Sequence, residues 1–202
     1  MPIMKDREYR TMFQPMAIPA AETAEKRFDT DFYVEGFATT FNAPYELYEF
    51  DGIKYYEMIA RDALAGADMS DVIFQYNHAG KVLARMSNNT LGLEAVEHGL
   101  LTFADLSKSR AAKDLYEEID NGLITKMSWA FTVKEDSYDR DTHTRTILKI
   151  KKVYDVSAVS IPANADTDIS ARSYFDGVIE REQKERLQRR QQLLKIKLMM
   201  EE

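Results

Sequence analysis

Three histidines, His78, His98 and His143, and no cysteine define the acid–base and covalent chemistry open to this chain of 202 residues. Without a thiol there is no disulfide, no thiolate zinc site and no cysteine nucleophile, so covalent catalysis would need Ser, Thr, Lys, Tyr or a carboxylate. No two histidines stand at HxH or HxxxH spacing, which makes a zinc site a weak reading. His98 falls in the turn segment EHG and His143 in the polar tip DRDTH, where polar side chains need no function. His78 differs, because it follows the apolar run VIFQY and precedes Ala79-Gly80, at the rim of a sheet beside flexible backbone. A general base is often found in such a place, and so is a structural histidine.

The serine with the best case is Ser128. In LITKMSWAFTVK, period-two alternation puts Leu123, Met127, Trp129, Phe131 and Val133 on one face and Ile124, Lys126, Ser128, Ala130 and Thr132 on the other. The large side chains take the core, so Ser128 points away from them beside the small Ala130, where a substrate could approach. A serine on the solvated face of a half-buried strand has the same pattern. Asp155 interrupts KKVYDVSAVSIP, which otherwise reads as buried strand, and a buried acid needs a partner. If the hairpin turns about Asp141, Ser128 falls opposite Tyr154, and an off-by-one turn or a bulge would align it with Asp155. A hydroxyl, an imidazole and a carboxylate would then meet as nucleophilic catalysis requires, the base taking the hydroxyl proton and the acid holding the base. The alternative is a structural aspartate bonded to backbone or to a lysine such as Lys126.

The elements that must position these residues follow from patterning. Residues 1–27 mix three prolines with an alanine-rich stretch and read as an arm. From Phe28, dense aromatic and β-branched segments predict strands at DFYVEGFATTF, KYYEMI and DVIFQYNH. TLGLEAV and LLTFADL flank EHG as one hairpin, and LITKMSWAFTVK and TRTILKIKKVYDVSAVSIP flank DRDTH as a longer one. SKSRAAKDLYEEID reads as the core's helix, capped by serine and stopped by Asn121-Gly122. The expectation is a mostly β domain over 28–172 with inserted helices, its sheet closed into a barrel or highly curved. Residues 173–202 are charged, with Leu187, Leu193, Leu194, Ile196, Leu198 and Met199 towards their end, and read as a helical tail, either solvated or partner-binding. Truncation after about Ser173 is expected to leave the domain folded.

Composition removes several classes. The chain is 45% hydrophobic and 30% charged, which suits a packed core without staples. The first 20 residues carry charges throughout and lack an apolar h-region, and no run reaches the ~18 apolar residues of a span, so neither a secretory signal nor a membrane partner is expected. With 27 basic against 34 acidic residues, the net charge of −7 has the wrong sign for general nucleic-acid binding.

In order along the chain, VEGFATTFN, YYEMIARDAL, DVIFQYNHAGKVLARM, TLGLEAVEHGLLTFADL, GLITKMSWAFTV and VYDVSAVSIPANADTDI resemble the prohead maturation serine proteases of tailed phages, which share a fold with the herpesvirus assemblins. The resemblance spans about residues 32–170. It implies an assemblin-type β-barrel and an endopeptidase with His78 as general base, Ser128 as nucleophile and Asp155 where the family commonly has a glutamate. Ala130 stands where the family often has glycine. By analogy with the assemblins, backbone N–H groups near Ala163 and Asn164 would face the oxyanion, and His143 competes with Asp155 as third member. The implied substrate is the major capsid protein or its scaffold segment, cut in the procapsid inside the host cytoplasm. Self-cleavage and a homo-oligomer stay open, and no metal, nucleotide or other cofactor is implied. The rival reading is a non-catalytic capsid assembly or scaffolding module that keeps the fold.

Overall fold

The structure is a computed structural model that describes residues 7–15, 26–160 and 169–200. The long hairpin organises it: β9 (Lys126–Asp139) and β10 (Thr144–Val159) pair antiparallel along their whole length. β10 takes two parallel neighbours on its other edge, β4 (Ile53–Ile59) beside Thr144–Ile147 and β5 (Ile73–Tyr76) beside Asp155–Ala158. β3 (Tyr45–Phe50) extends the sheet beyond β4, and β6 (Ala79–Arg85) beyond β5. β1 (Glu8–Pro15), formed by residues the sequence places in the arm, runs antiparallel along the outer edge of β9. A second, antiparallel sheet holds β2 (Tyr33–Thr40), β8 (Gly99–Asp105) and β7 (Leu91–Ala95) in that order.

The expected closed or highly curved assemblin-type barrel does not form. Among the described residues the larger sheet has seven strands and open edges, the smaller has three, and an isolated bridge between Phe41 and Ile59 joins them where β2 ends. Closure needs a continuous ladder with consistent tilt and stagger around the ring. Here the outer edge of β10 is divided between β4 and β5, so the ladder forks instead of running round.

The core lies between the two sheets and under α1 (Arg110–Asp120). Met127, Trp129 and Phe131 enter it from β9, and Val34, Ala38, Leu100 and Ala104 from the smaller sheet. Ala112, Leu115 and Ile119 bury one face of α1, whose Ser109 Oγ accepts from the Ala112 N–H at 3.1 Å. Asn121-Gly122 ends the helix as expected, because Gly122 takes φ +70° while its N–H and that of Leu123 reach the Ile119 and Glu118 carbonyls, a Schellman closure. Leu123 is 72% exposed and Ile124 buried, the reverse of the strand parity, since β9 starts only at Lys126.

α2 (Ile169–Met200) begins inside what reads as domain and runs through the charged tail. Its early turns are not detached: Phe175 and Ile179 are buried with Leu47, Tyr48 and Tyr55 in a second apolar cluster over β3 and β4. The cut expected to be harmless after Ser173 would therefore remove core side chains. Further on, Leu187, Leu193, Leu194, Ile196 and Met199 are exposed.

Candidate active site

His78 owes its position to a two-residue turn. β5 ends at Tyr76, β6 starts at Ala79, and Asn77 and His78 between them both have positive φ, 50° and 54°. Positive φ at both central positions is the type I′ pattern, whose twist matches that of the flanking strands. Asn77 fastens the turn to the end of β10: its N–H donates to the Ala158 carbonyl at 2.9 Å, and its side-chain oxygen accepts from the Ser160 N–H at 3.2 Å. The His78 N–H in turn donates to Ser157 Oγ at 3.2 Å.

The three side chains singled out from the sequence meet in one place. His78 Nε2 lies 2.6 Å from Ser128 Oγ, and His78 Nδ1 lies 2.5 Å from Asp155 Oδ1. The register that allows this is not the simple one. Ser128 faces Ser157, and Asp155 faces Ala130, because β10 carries two residues more than β9 between the paired ends Asp139–Thr144 and Lys126–Val159. Bulges absorb the difference. Asp155 has no need of Lys126, since its Oδ1 accepts from both His78 and the Ser157 hydroxyl, the latter at 2.9 Å. Ser128 is 1% exposed, not solvated, because β1 covers its strand edge and its Oγ also reaches the Arg10 carbonyl at 2.9 Å. Tyr9 sets its ring edge-on to His78, with centroids 4.9 Å apart. A cleft of about 260 Å³ opens on the imidazole and Asp155, lined also by Arg7, Tyr9, Gln75 and Tyr154.

The other histidines lie elsewhere. His98 packs its ring on Phe37, and His143 accepts a place at the hairpin tip beside Tyr55, with its Nδ1 3.0 Å from the Tyr138 hydroxyl. Eleven residues of β9 separate Ser128 from that tip, about 35 Å of strand at roughly 3.3 Å per residue. Ala163 and Asn164 lie outside the described residues. The sequence reading missed Ser157, Tyr9 and Arg10. Ser157 was accessible to it, standing two residues from Asp155 and so on the same strand face; the two arm residues carried no such signal.

Next to the site, the core face of β1 enters a buried ionic cluster. Arg10 Nε and Nη2 bond Glu57 Oε1 and Oε2 at 2.5 and 2.9 Å, and Arg145 bonds Glu57 at 3.1 Å and Glu8 at 2.8 and 3.0 Å. Burial works to raise the Glu57 pKa, but the two guanidiniums outweigh it and hold the carboxyl below its ordinary value.

A hydroxyl bonded to an imidazole that is bonded to a carboxylate is the arrangement by which hydrolases activate a serine. The chain belongs to the caudovirus prohead serine proteases, whose family model matches residues 20–180. It is thus a serine protease with a role in phage prohead maturation. No curated protein and no solved structure matches it.

Proposed function

We propose that the protein is a Ser-His-Asp endopeptidase that cleaves scaffold segments of the phage capsid protein during procapsid maturation. Ser128 is the nucleophile, His78 the general base and Asp155 the orienting acid. The observation that carries this reading is the unbroken series from Ser128 Oγ through both imidazole nitrogens to Asp155, at 2.6 and 2.5 Å.

As Ser128 Oγ attacks the carbonyl carbon of the scissile bond, its proton passes to His78 Nε2. The imidazolium keeps its Nδ1–H on Asp155, whose charge stabilises it. Collapse of the tetrahedral intermediate breaks the C–N bond, and His78 Nε2–H supplies the proton that the leaving amine needs. Water, deprotonated by the same nitrogen, then attacks the acyl ester and frees Ser128. The Ser157 hydroxyl positions Asp155 and the His78 backbone together, fixing the ring from two sides.

Incubating the purified protein with its capsid protein and mapping new termini tests the reading. Cleavage by the wild type and none by Ser128→Ala are expected. A fold-only assembly module would leave the capsid protein intact and Ser128 unreactive towards a fluorophosphonate. New termini within the protein itself would extend the activity to self-cleavage.

A further inference from the structure

The strand that carries Ser128 has two edges, and the one away from β10 is occupied by β1, with Thr11 opposite Ser128 and Arg10 opposite Trp129. Ser128 Oγ has one proton and two acceptors within reach, His78 Nε2 at 2.6 Å and the Arg10 carbonyl oxygen at 2.9 Å. A substrate carbonyl has to lie within such reach of the nucleophile and base for proton transfer and attack. That place is already filled by a main-chain carbonyl of the chain itself, and with β1 seated Ser128 is 1% exposed. The family match begins at residue 20, so β1 lies ahead of the shared region, whereas β9, β10 and the His78 turn lie within it.

We propose that the β9 edge beside Ser128 is the seat for an extended substrate polypeptide, added as an antiparallel strand, and that residues 8–15 of this chain are its resident occupant. The inference rests on Ser128 being the nucleophile. Main-chain pairing supplies the affinity in strand addition, and alternate side chains supply the specificity. Here Glu8 and Arg10, two apart and so on one face, both enter the buried ionic cluster. Glu57 and Arg145 stand directly opposite each other on β4 and β10 and bond one another at 3.1 Å. Arg145 also bonds Asp136 at 2.6 Å, so both Glu57 and Asp136 keep a cationic partner when β1 leaves, and a docking strand leaves the net charge of the cluster unchanged by bringing one acid and one base. The seat therefore selects a basic residue where the carbonyl meets Ser128 and an acidic residue two positions before it. A tethered occupant acts at an effective concentration of about millimolar, so the chain holds its own site closed against dilute peptide.

The test uses the full chain and its Arg10→Met and Arg10→Glu variants, read by the rate at which a fluorophosphonate labels Ser128. Losing the two charge-assisted bonds to Glu57 loosens β1, so labelling should rise about tenfold or more. A peptide of residues 6–16 should slow labelling of Arg10→Met, and the same peptide with glutamate in place of arginine should not. Arg10→Met retains the Glu57–Arg145 pair, and a thermal melt checks its fold. In the wild-type chain, with no substitution, the amides of residues 8–14 should exchange faster once Ser128 carries the adduct. Equal labelling of wild type and folded variants, or exchange unchanged by the adduct, overturns the proposal while leaving the nucleophile standing. No labelling of any of the three proteins would instead remove Ser128 as nucleophile, and the proposal with it.

Discussion

Asp155→Asn isolates the acid of the site with almost no change in volume. In the wild type, Asp155 Oδ1 accepts from His78 Nδ1 and Ser157 Oγ together, and the residue is 3% exposed, so no bulk water substitutes for it. An asparagine that turns its NH₂ towards His78 donates to Nδ1, and Ser157, a hydroxyl able to accept, does not oppose the turn. The imidazole then carries its proton on Nε2 and presents Ser128 with a donor where a base is needed. An asparagine that keeps its oxygen towards Nδ1 preserves the tautomer but removes the charge that stabilises the imidazolium. The first outcome costs roughly 10⁴ in kcat where it has been measured in a serine protease, equivalent to about 5.5 kcal/mol of barrier. The interaction is made in the transition state, so kcat should fall with KM nearly unchanged. Steady-state cleavage of a capsid-derived peptide, with a thermal melt to show that the fold is kept, measures it. Activity within about tenfold of wild type in a folded Asp155→Asn protein would refute the reasoning. A dead His143→Ala alongside it would assign the orienting role to that histidine, against its place at the hairpin tip.

The remaining predictions concern what holds the site in place. Glu57 has a folded pKa below its unfolded value of about 4.3, so its stabilisation is present above that value and lost as pH falls through the folded pKa. Thermal melts should therefore weaken on acidification below about pH 4.3, and Glu57→Gln should be less stable at pH 7 yet lose less on acidification; identical slopes would contradict the assignment. Phe175, fully buried on the β3–β4 cluster, should cost about 3–5 kcal/mol as Phe175→Ala, whereas Leu194→Ala, 53% exposed, should stay within about 0.5 kcal/mol. Denaturant melts showing both near zero would detach α2 from the core. Gly99→Ala would set a Cβ 2.0 Å from the Thr39 carbonyl oxygen, backbone that cannot rotate aside, and should destabilise by about 1–3 kcal/mol or more, with a wild-type melt counting against the β2–β8 packing.

Legibility in the sequence followed the range of the interactions. α1 was readable to its caps because Ser109, the apolar spacing and Asn121-Gly122 act within a few residues of one another. The hairpins were readable for the same reason, their polar tips lying between alternating segments. Leu123 and Ile124 depart from the alternation because they precede β9, which begins at Lys126. Phe175 looked like part of a detachable tail, since nothing local says that an aromatic in a charged helix will find Tyr48 and Tyr55 more than a hundred residues away in sequence.

At the site, the sequence by itself determined the residue types: one histidine at a strand end, one serine on the face opposite Trp129, and one acid in a strand otherwise apolar. It also determined that covalent chemistry could not use a thiol. Only the tertiary structure decided that these three meet. Their encounter depends on a hairpin centred past Asp141, which moves the partner of Ser128 from Tyr154 to Asp155, on two extra residues in β10, which carry it on to Ser157, and on a turn with two positive φ angles, which places His78 over both strands. Tertiary structure also decided that the sheets stay open and that residues 8–15 lie along the strand that carries Ser128. The physical reason is that strand period fixes which face a residue takes, whereas register, bulges and edge partners are settled by pairing energies between segments far apart in the chain.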